Sequence, residues 1–302
     1  MLCFQADVAL VTAQHYLAEV ASSEDWYLGN ILRDDQLLQT ALSDHGLSSS
    51  RVNWADPTID WSKFGCVVFR TPWDYFDRLA EFTAWLQQLT KQTRLCNEHA
   101  TIEWNMDKHY LADLAAQGIP VVPSHFIEQG GVFSLPDLLD AFQLNEAVIK
   151  PCISGGARHT YRVNRLNSEE IGSTLQPLLR HESFILQPFQ TDILHSGEDT
   201  LMIFDGHYSH AVRKRPKPDD FRVQDDHGGS VHPYQPTPQQ IELAERTIAA
   251  CQQPPAYGRV DLVRDNQGHN TVMELELIEP ELWLRYHLPA ATSFATAIAA
   301  RM

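Results

Sequence analysis

The sequence predicts an α/β (α+β) fold, with a parallel α/β unit at the N-terminus and a region of antiparallel strands after it. Three observations carry this. Apolar, strand-length runs alternate with helix-spaced segments up to residue 97. Beyond that point short strands come in pairs around turns such as the Asp-Gly of 205–206. With 302 residues and 43% hydrophobic content, the chain is long enough for more than one unit. The expected divisions are 1–105, 106–190 and 191–302.

In the first unit, "ADVALVTA" (6–13) reads as a buried strand. Residues 32–46 have helical spacing and close on Gly46, a C-cap residue. "RVNW" (51–54), "GCVVFR" (65–70) and "TRLCN" (93–97) are further strands. Between the last two, Pro72 and Asp74 introduce a long amphipathic helix running to residue 89. Such alternation makes a parallel sheet with covering helices, and ligands sit off the carboxyl ends of its strands. Arg70, Trp73 and Asp74 occupy one such end. With Arg285 they are candidates, by position, for contact with a small-molecule substrate.

A helix over 105–118 closes on Gly118, and 119–124 form an extended connector. "EAVIKP" (146–151) and "ARHTYRVNR" (157–165) pair around "CISGG". A helix (168–180) and the strand "SFILQPF" (183–189) follow. "TLMIFDGHYSHAVRKRP" (200–216) is a strand, turn and strand. Thr237 and Pro238 open a helix to 251, and 257–265 with 271–280 form a last hairpin.

The net charge is −16, which repels nucleic acid and anionic membrane, so neither is expected as a partner. The cysteines are Cys3, Cys66, Cys96, Cys152 and Cys251. Their count is odd and no C-x-x-C occurs, which argues against a disulfide framework and a zinc site and fits the cytoplasm. The start, "MLCFQADVALVTA", lacks the basic segment of a signal peptide, and Asp7 interrupts its apolar run. No run has the length of a membrane span.

Chemistry is concentrated in a few stretches. In "TVMELELIEP" (271–280), Glu274 and Glu276 share one strand face, and the hairpin brings Asp261 beside them. Three carboxylates on one face repel without a cation, and hard oxygens suit Mg²⁺. The alternative is a solvated sheet face with Lys or Arg opposite. Glu279 falls off that face or past the strand end. In "VIKPCISGGARH", Lys150 ends an apolar strand before Ser154, Gly155 and Gly156. Either feature alone is ordinary, a surface lysine or a hairpin turn. Together they suit a phosphate. "HAVRKRPKPDDFRVQ" (210–224) gathers five cations in an acidic chain. A charge run is usually solvated surface, but paired guanidiniums also suit phosphate. Alternation puts Arg213 and Arg215 on one face and Lys214 on the other. "DDHGGS" (225–230) reads as a flexible cover. "ILQPF" (185–189), taken alone, reads as core. Cys152, with no histidine partner indicated, reads as structural.

These stretches stand in the order found in the ATP-grasp superfamily of nucleotide-dependent ligases, which the chain resembles over about residues 100–285. The resemblance rests on the "DK" of 107–108, "VIKP" with its glycine loop, "LQPF", "DGHYSHAVRKR", "FRVQ", "RVDLV" and "MELELIEP". "FRTPWDYFDRLAEFTAWL", "WNMDKHYLADLAAQGIPVVPS" and "ELELIEPELWL" resemble a subgroup close to the O-ureido-serine cyclo-ligase of cycloserine biosynthesis. The resemblance implies two α+β subdomains enclosing Mg²⁺–ATP. It implies Lys108 and Lys150 on the nucleotide phosphates and 154–156 as the mobile phosphate loop. Gln187, Pro188 and Phe189 would line the adenine site, with Glu198 near the ribose. Arg213 and Arg222 would face the γ-phosphate or an acyl phosphate, and Asp261, Glu274 and Glu276 would hold Mg²⁺. Many members have Asn where Glu276 stands. The reaction implied is activation of a carboxylate as an acyl phosphate and its capture by a nitrogen nucleophile. Intramolecular ring closure and a scaffold without turnover are the alternatives. Dimers are common in that superfamily, so a homodimer is the assembly the resemblance suggests.

Overall fold

The computed structural model describes residues 6–302; Cys3 and the first residues of the leading segment lie outside that range. Three sheets form in chain order. β1 (Ala6–Thr12), β2 (Ser49–Asn53), β3 (Phe64–Thr71) and β4 (Arg94–Cys96) make a parallel sheet of order β2-β1-β3-β4. β1 and β3 are central and buried almost throughout, as expected of strands covered on both faces. α1 (Trp26–Asp44) and α2 (Leu79–Leu89) belong to this layer.

Both helices depart from the sequence reading at their N-termini. α1 starts earlier, because Asp25 caps it by accepting from the Leu28 amide at 3.0 Å. α2 starts later, because residues 72–78 are held in turns: Asp74 accepts from Trp54 Nε1 at 2.7 Å and from Arg78 at 2.8 Å. The helix expected over 105–118 is two, α3 (His99–Met106) and α4 (Tyr110–Ala116), with Asp107–His109 in the break.

The second sheet has order β5-β8-β6-β7, all antiparallel. Its strands are β5 (His125–Ile127), β6 (Glu146–Pro151), β7 (Tyr161–Asn164) and β8 (Phe184–Pro188). α5 (Leu135–Ala141), a helix beyond those expected from the sequence, and α6 (Ser168–Leu178) pack on it through Leu135, Leu139 and Leu175. The third sheet, β11-β10-β9-β12-β13, is also antiparallel. It comprises β9 (Glu198–Phe204), β10 (His207–Arg215), β11 (Ser230–Tyr234), β12 (Tyr257–Arg264) and β13 (Asn270–Glu276). Asp205 and Gly206 both take positive φ, 50° and 82°, as a two-residue hairpin turn requires. β11 is a further correction: Ser230, the end of the stretch expected to be flexible, pairs with β10 opposite Arg215. α7 (Pro238–Ala249) begins with a capping box between Thr237 and Gln240.

Two contacts fasten the first sheet to the third. α8 (Pro289–Ala299) inserts Phe294 and Ile298 into a core shared with Val8 and Leu10 of β1 and Phe204 of β9. The outer edge of β13 is satisfied by side chains from the N-terminal half. Asn105 donates to Leu275 O at 2.8 Å and accepts from Leu277 N at 2.7 Å. Tyr110 Oη accepts from Leu275 N at 3.0 Å, and Asn97 donates to Leu277 O at 2.7 Å. An edge strand left bare would expose unpaired amides, and these groups cover it. Among the described residues no helix is long and apolar enough to cross a membrane.

Buried His210 in β10 donates from Nε2 to Leu282 O at 2.9 Å. Burial pushes its pKa down to about 4. Its neutral form therefore contributes stability that is present above about pH 6.5 and lost as pH falls toward about 4. Thermal melts across that window should show this loss, and His210→Gln should flatten the dependence.

Candidate active site

A cavity of about 370 Å³ lies between the three sheets. Its floor is the β12–β13 hairpin. Asp261 stands opposite Glu274, and Arg259 opposite Glu276, with a register shift just after Asp261. Alternation thus puts Arg259, Asp261, Glu274 and Glu276 on one face, and all four line the cavity.

Protein cations answer these carboxylates one by one. Asp261, 1% exposed, accepts from Arg259 at 3.0 and 2.8 Å and from Lys214 Nζ at 3.0 Å. Arg259 also donates to Glu276, and Lys214 also pairs with Glu198. Glu274 meets Lys108 at 3.0 Å and Lys150 at 4.0 Å. The ring of Trp283 lies beneath Arg259 and Lys214, 5.3 and 5.9 Å from their cationic centres. Carboxylates that from sequence alone would repel without a metal are thus already compensated in large part by amines and a guanidinium.

The balance is uneven. Burial opposes ionisation of Asp261, yet Arg259 and Lys214 outweigh it and hold the carboxyl well below the usual range. Burial likewise opposes ionisation of Glu274, but Lys108 and Lys150 bring it down to about 2. Glu276 is pushed up to about 7 by burial, which Arg259 only partly offsets. Glu279 lies past the end of β13 but still lines the cavity; burial, then Glu276, pushes it up to about 8. The floor therefore holds two carboxyls, Glu276 and Glu279, whose ionised forms its own cations do not fully stabilise. With an all-oxygen donor set in Asp261, Glu274 and Glu276, it fits Mg²⁺.

The roof comes from the second sheet. Lys150, Ser154, Gly155, Gly156, Gln187, Pro188 and Phe189 all line the cavity. Lys108 Nζ donates to Ser154 O at 2.9 Å, tying the loop to the floor. A Cβ on Gly155 would lie 2.7 Å from the Phe76 ring, so only glycine lets the loop lie against the N-terminal unit. Gln187 Nε2 donates to Ser124 Oγ at 3.0 Å. The far wall is Tyr16, Tyr27, Trp73 and Tyr75, with Glu281 nearby.

Several residues proposed from sequence stand elsewhere. Arg213 does not line the cavity: it forks onto Asp199 at 2.6 and 2.9 Å on the opposite face of β10 and covers the Tyr234 ring at 4.1 Å. Lys214, across from Glu198, faces inward instead. Arg222 does line the cavity, with its guanidinium on Asp220 at 2.8 Å. Glu198, expected near a ribose, does line the cavity, with its carboxylate bound to Lys214. Of the substrate candidates only Trp73 lines the cavity, donating to Glu279 O at 3.0 Å. Arg70 is buried against Asp35 at 3.0 Å, Asp74 holds Trp54 and Arg78, and Arg285 is clamped by Asp34 at 2.6 Å and Glu281 at 2.7 Å. Position in the chain is a poor guide here because Arg70, Asp74 and Arg285 each have a partner that turns them away. Arg259, Lys214 and Glu281 were missed. For Arg259 a signal existed, since it precedes Asp261 by two on the same face.

An antiparallel roof and floor closing over such a cleft, beside a parallel N-terminal unit, define an ATP-grasp ligase. The comparisons narrow this. A family model described as the N-terminal domain of D-cycloserine synthetase DcsG matches residues 8–97. The cycloserine biosynthesis protein DcsG of Streptomyces lavendulae is 35% identical over 277 residues, covering 85% of this chain and 90% of that protein. A crystal structure of D-cycloserine synthetase DcsG superposes with a TM-score of 0.86 at 34% identity, covering 97% of this chain and 99% of that one. The D-alanine–D-alanine ligase of Bacillus anthracis in complex with ATP shares the fold, with a TM-score of 0.63 at 14% identity over 97% of this chain and 96% of that one. The chain belongs to the DcsG family of ATP-grasp ligases. It is therefore an enzyme, and the scaffold without turnover is set aside.

The inward lysine and the outward arginine are separable. Lys214→Met breaks a buried ion pair on both Glu198 and Asp261 and should cost about 3–5 kcal/mol of stability. Arg213→Met loses a partly exposed pair and should cost only about 0.2–1 kcal/mol. Denaturant titrations of the two variants check the order.

Proposed function

We propose that this protein closes a ring within an amino-acid derivative that carries its own nitrogen nucleophile, using ATP to activate the carboxyl group. The observation that carries the reading is the 35% identity to DcsG across 85% of the chain. The geometry supports it. One continuous cavity joins the residues suited to phosphate with a wall of Tyr16, Tyr27 and Trp73, which leaves room for a small partner beside the nucleotide.

In this reading Lys108, Lys150 and the 154–156 loop receive the nucleotide phosphates, and Gln187–Phe189 line the adenine end. Asp261, Glu274 and Glu276 would hold Mg²⁺, whose charge would ease negative charge on the transferring phosphate. The substrate carboxylate attacks the γ-phosphorus, the bond to the bridging oxygen breaks, and ADP leaves. The resulting acyl phosphate is attacked at its carbonyl carbon by the substrate nitrogen, which loses a proton as phosphate departs. Lys214 and Arg222, both on the cavity wall, face this charge; Arg213 does not. The walls position the reactants and exclude water. The divisions near residues 105 and 190 then separate the N-terminal wall, the roof and the floor. The described cysteines, Cys66, Cys96, Cys152 and Cys251, are free and buried, which supports a cytoplasmic location.

The decisive assay offers O-ureido-serine with Mg²⁺–ATP and follows phosphate and product mass. Ring closure needs no second amine, so phosphate release should be unchanged when amino acids are added. Release that appears only with a second amine would make the enzyme an intermolecular ligase.

Binding should also be synergistic. ATP with Mg²⁺ should raise Tm more than ATP with EDTA, since a ligand that binds only the folded state stabilises it by mass action. Glu274→Gln should remove most of that difference in a thermal-shift titration.

A further inference from the structure

Beneath the roof, outside the cavity, the break between α3 and α4 meets the end of β6. It brings together Asp107, His109 and Cys152, with one ligand atom from each within 4.8 Å of the others. None of the three lines the cavity. The cysteine spacing by itself argues against zinc and indicates no histidine partner for Cys152, but in the fold His109 lies beside it, distant in sequence and close in space.

We propose that Asp107 Oδ, His109 Nδ1 and Cys152 Sγ form a binding site for a thiophilic divalent cation, Zn²⁺ being the ion that suits the set. A thiolate, an imidazole and a carboxylate are a donor mixture for Zn²⁺ rather than for Mg²⁺. His109 is already oriented for the task. Its Nε2 meets Glu128 Oε1 at 3.1 Å, and its ring stacks on Phe126 with centroids 4.0 Å apart. A carboxylate on the outer nitrogen fixes the tautomer that leaves Nδ1 for a metal. Glu128 is itself held, accepting from Ser183 Oγ at 3.2 Å. Without a cation, His109 Nδ1 lies 2.5 Å from Asp107 Oδ1, and burial pushes the Cys152 thiol pKa up. On binding, the metal replaces the thiol proton and any proton on Nδ1, and both go to solvent. Cys152 is 1% exposed, whereas the side chains of Asp107 and His109 are 39% and 37% exposed, so the ion enters from their side.

The site has a structural consequence. Lys108 lies between two of the ligands, and its amide donates to Cys152 O at 3.0 Å. Cys152 is followed by the loop whose Ser154 O accepts from Lys108 Nζ. A bound ion therefore clamps the Lys108 segment to the root of the glycine loop.

The test titrates Co²⁺ into the metal-free full chain under saturating Mg²⁺, which occupies the oxygen site. One equivalent should bind with thiolate-to-cobalt charge-transfer absorption, and Zn²⁺ should displace it. Cys152→Ser should abolish the absorption, and Cys251→Ser should keep it. Glu128→Gln, at an exposed position, should weaken Co²⁺ binding about 10–100-fold. Absence of the absorption in the wild type, its survival in Cys152→Ser, or an unchanged affinity in Glu128→Gln would each overturn the proposal.

Discussion

Asp261 is buried between Arg259 and Lys214, and much of the molecule is arranged around that carboxylate. A lone buried charge is costly; paired with cations it is tolerated. Arg259 comes from the same strand, two residues away, and continues to Glu276 on the partner strand. Lys214 comes from β10, beyond β9 in the same sheet, and continues to Glu198. The pairs thus tie four neighbouring strands through one floor. Trp283 closes it from below, its ring under both cations. The same charges that stabilise the floor also make it receptive to phosphate and a divalent ion, because their positions are set before any ligand arrives.

The N-terminal unit takes part in the site as well as preceding it. Its Asn97 and Asn105, with Tyr110 of α4, satisfy the free edge of β13, so the acidic strand is held in place by residues outside its own sheet. The same unit supplies the aromatic wall and the Phe76 ring against which Gly155 lies. The ion pairs Arg70–Asp35 and Arg285–Asp34 belong to this framework. Arg70, at the end of β3, looks like a ligand-binding group in the sequence because arginines at strand ends often are, but carboxylates on α1 have claimed it and Arg285 alike.

Local pattern was legible where one rule decided the outcome. The two-residue step puts Glu274 and Glu276 together, and the Asp-Gly turn makes a hairpin with positive φ at both positions. The same step places Arg259 on the acidic face. Other elements were hidden by partners distant in sequence. β11 forms because β10 offers it an edge, and α5 because Leu135 and Leu139 have a sheet to cover. The helix expected over 105–118 breaks at Asp107–His109, where His109 is drawn to Glu128 and the Lys108 amide to Cys152.

The sequence by itself determined which residue types could carry phosphate and metal chemistry, the order of the strands bearing them, and the odd–even division of each strand into two faces. It did not determine which face looked inward. In β10 the two faces carry Arg213 and Lys214, both cationic, so polarity alone does not choose between them. A register irregularity between Tyr208 and His210, and the pairing of Lys214 with Glu198 on β9, decide it. A one-residue shift exchanges the faces of a strand. That parity is set by neighbouring strands, and so the identity of the cation facing the cavity belonged to the tertiary structure.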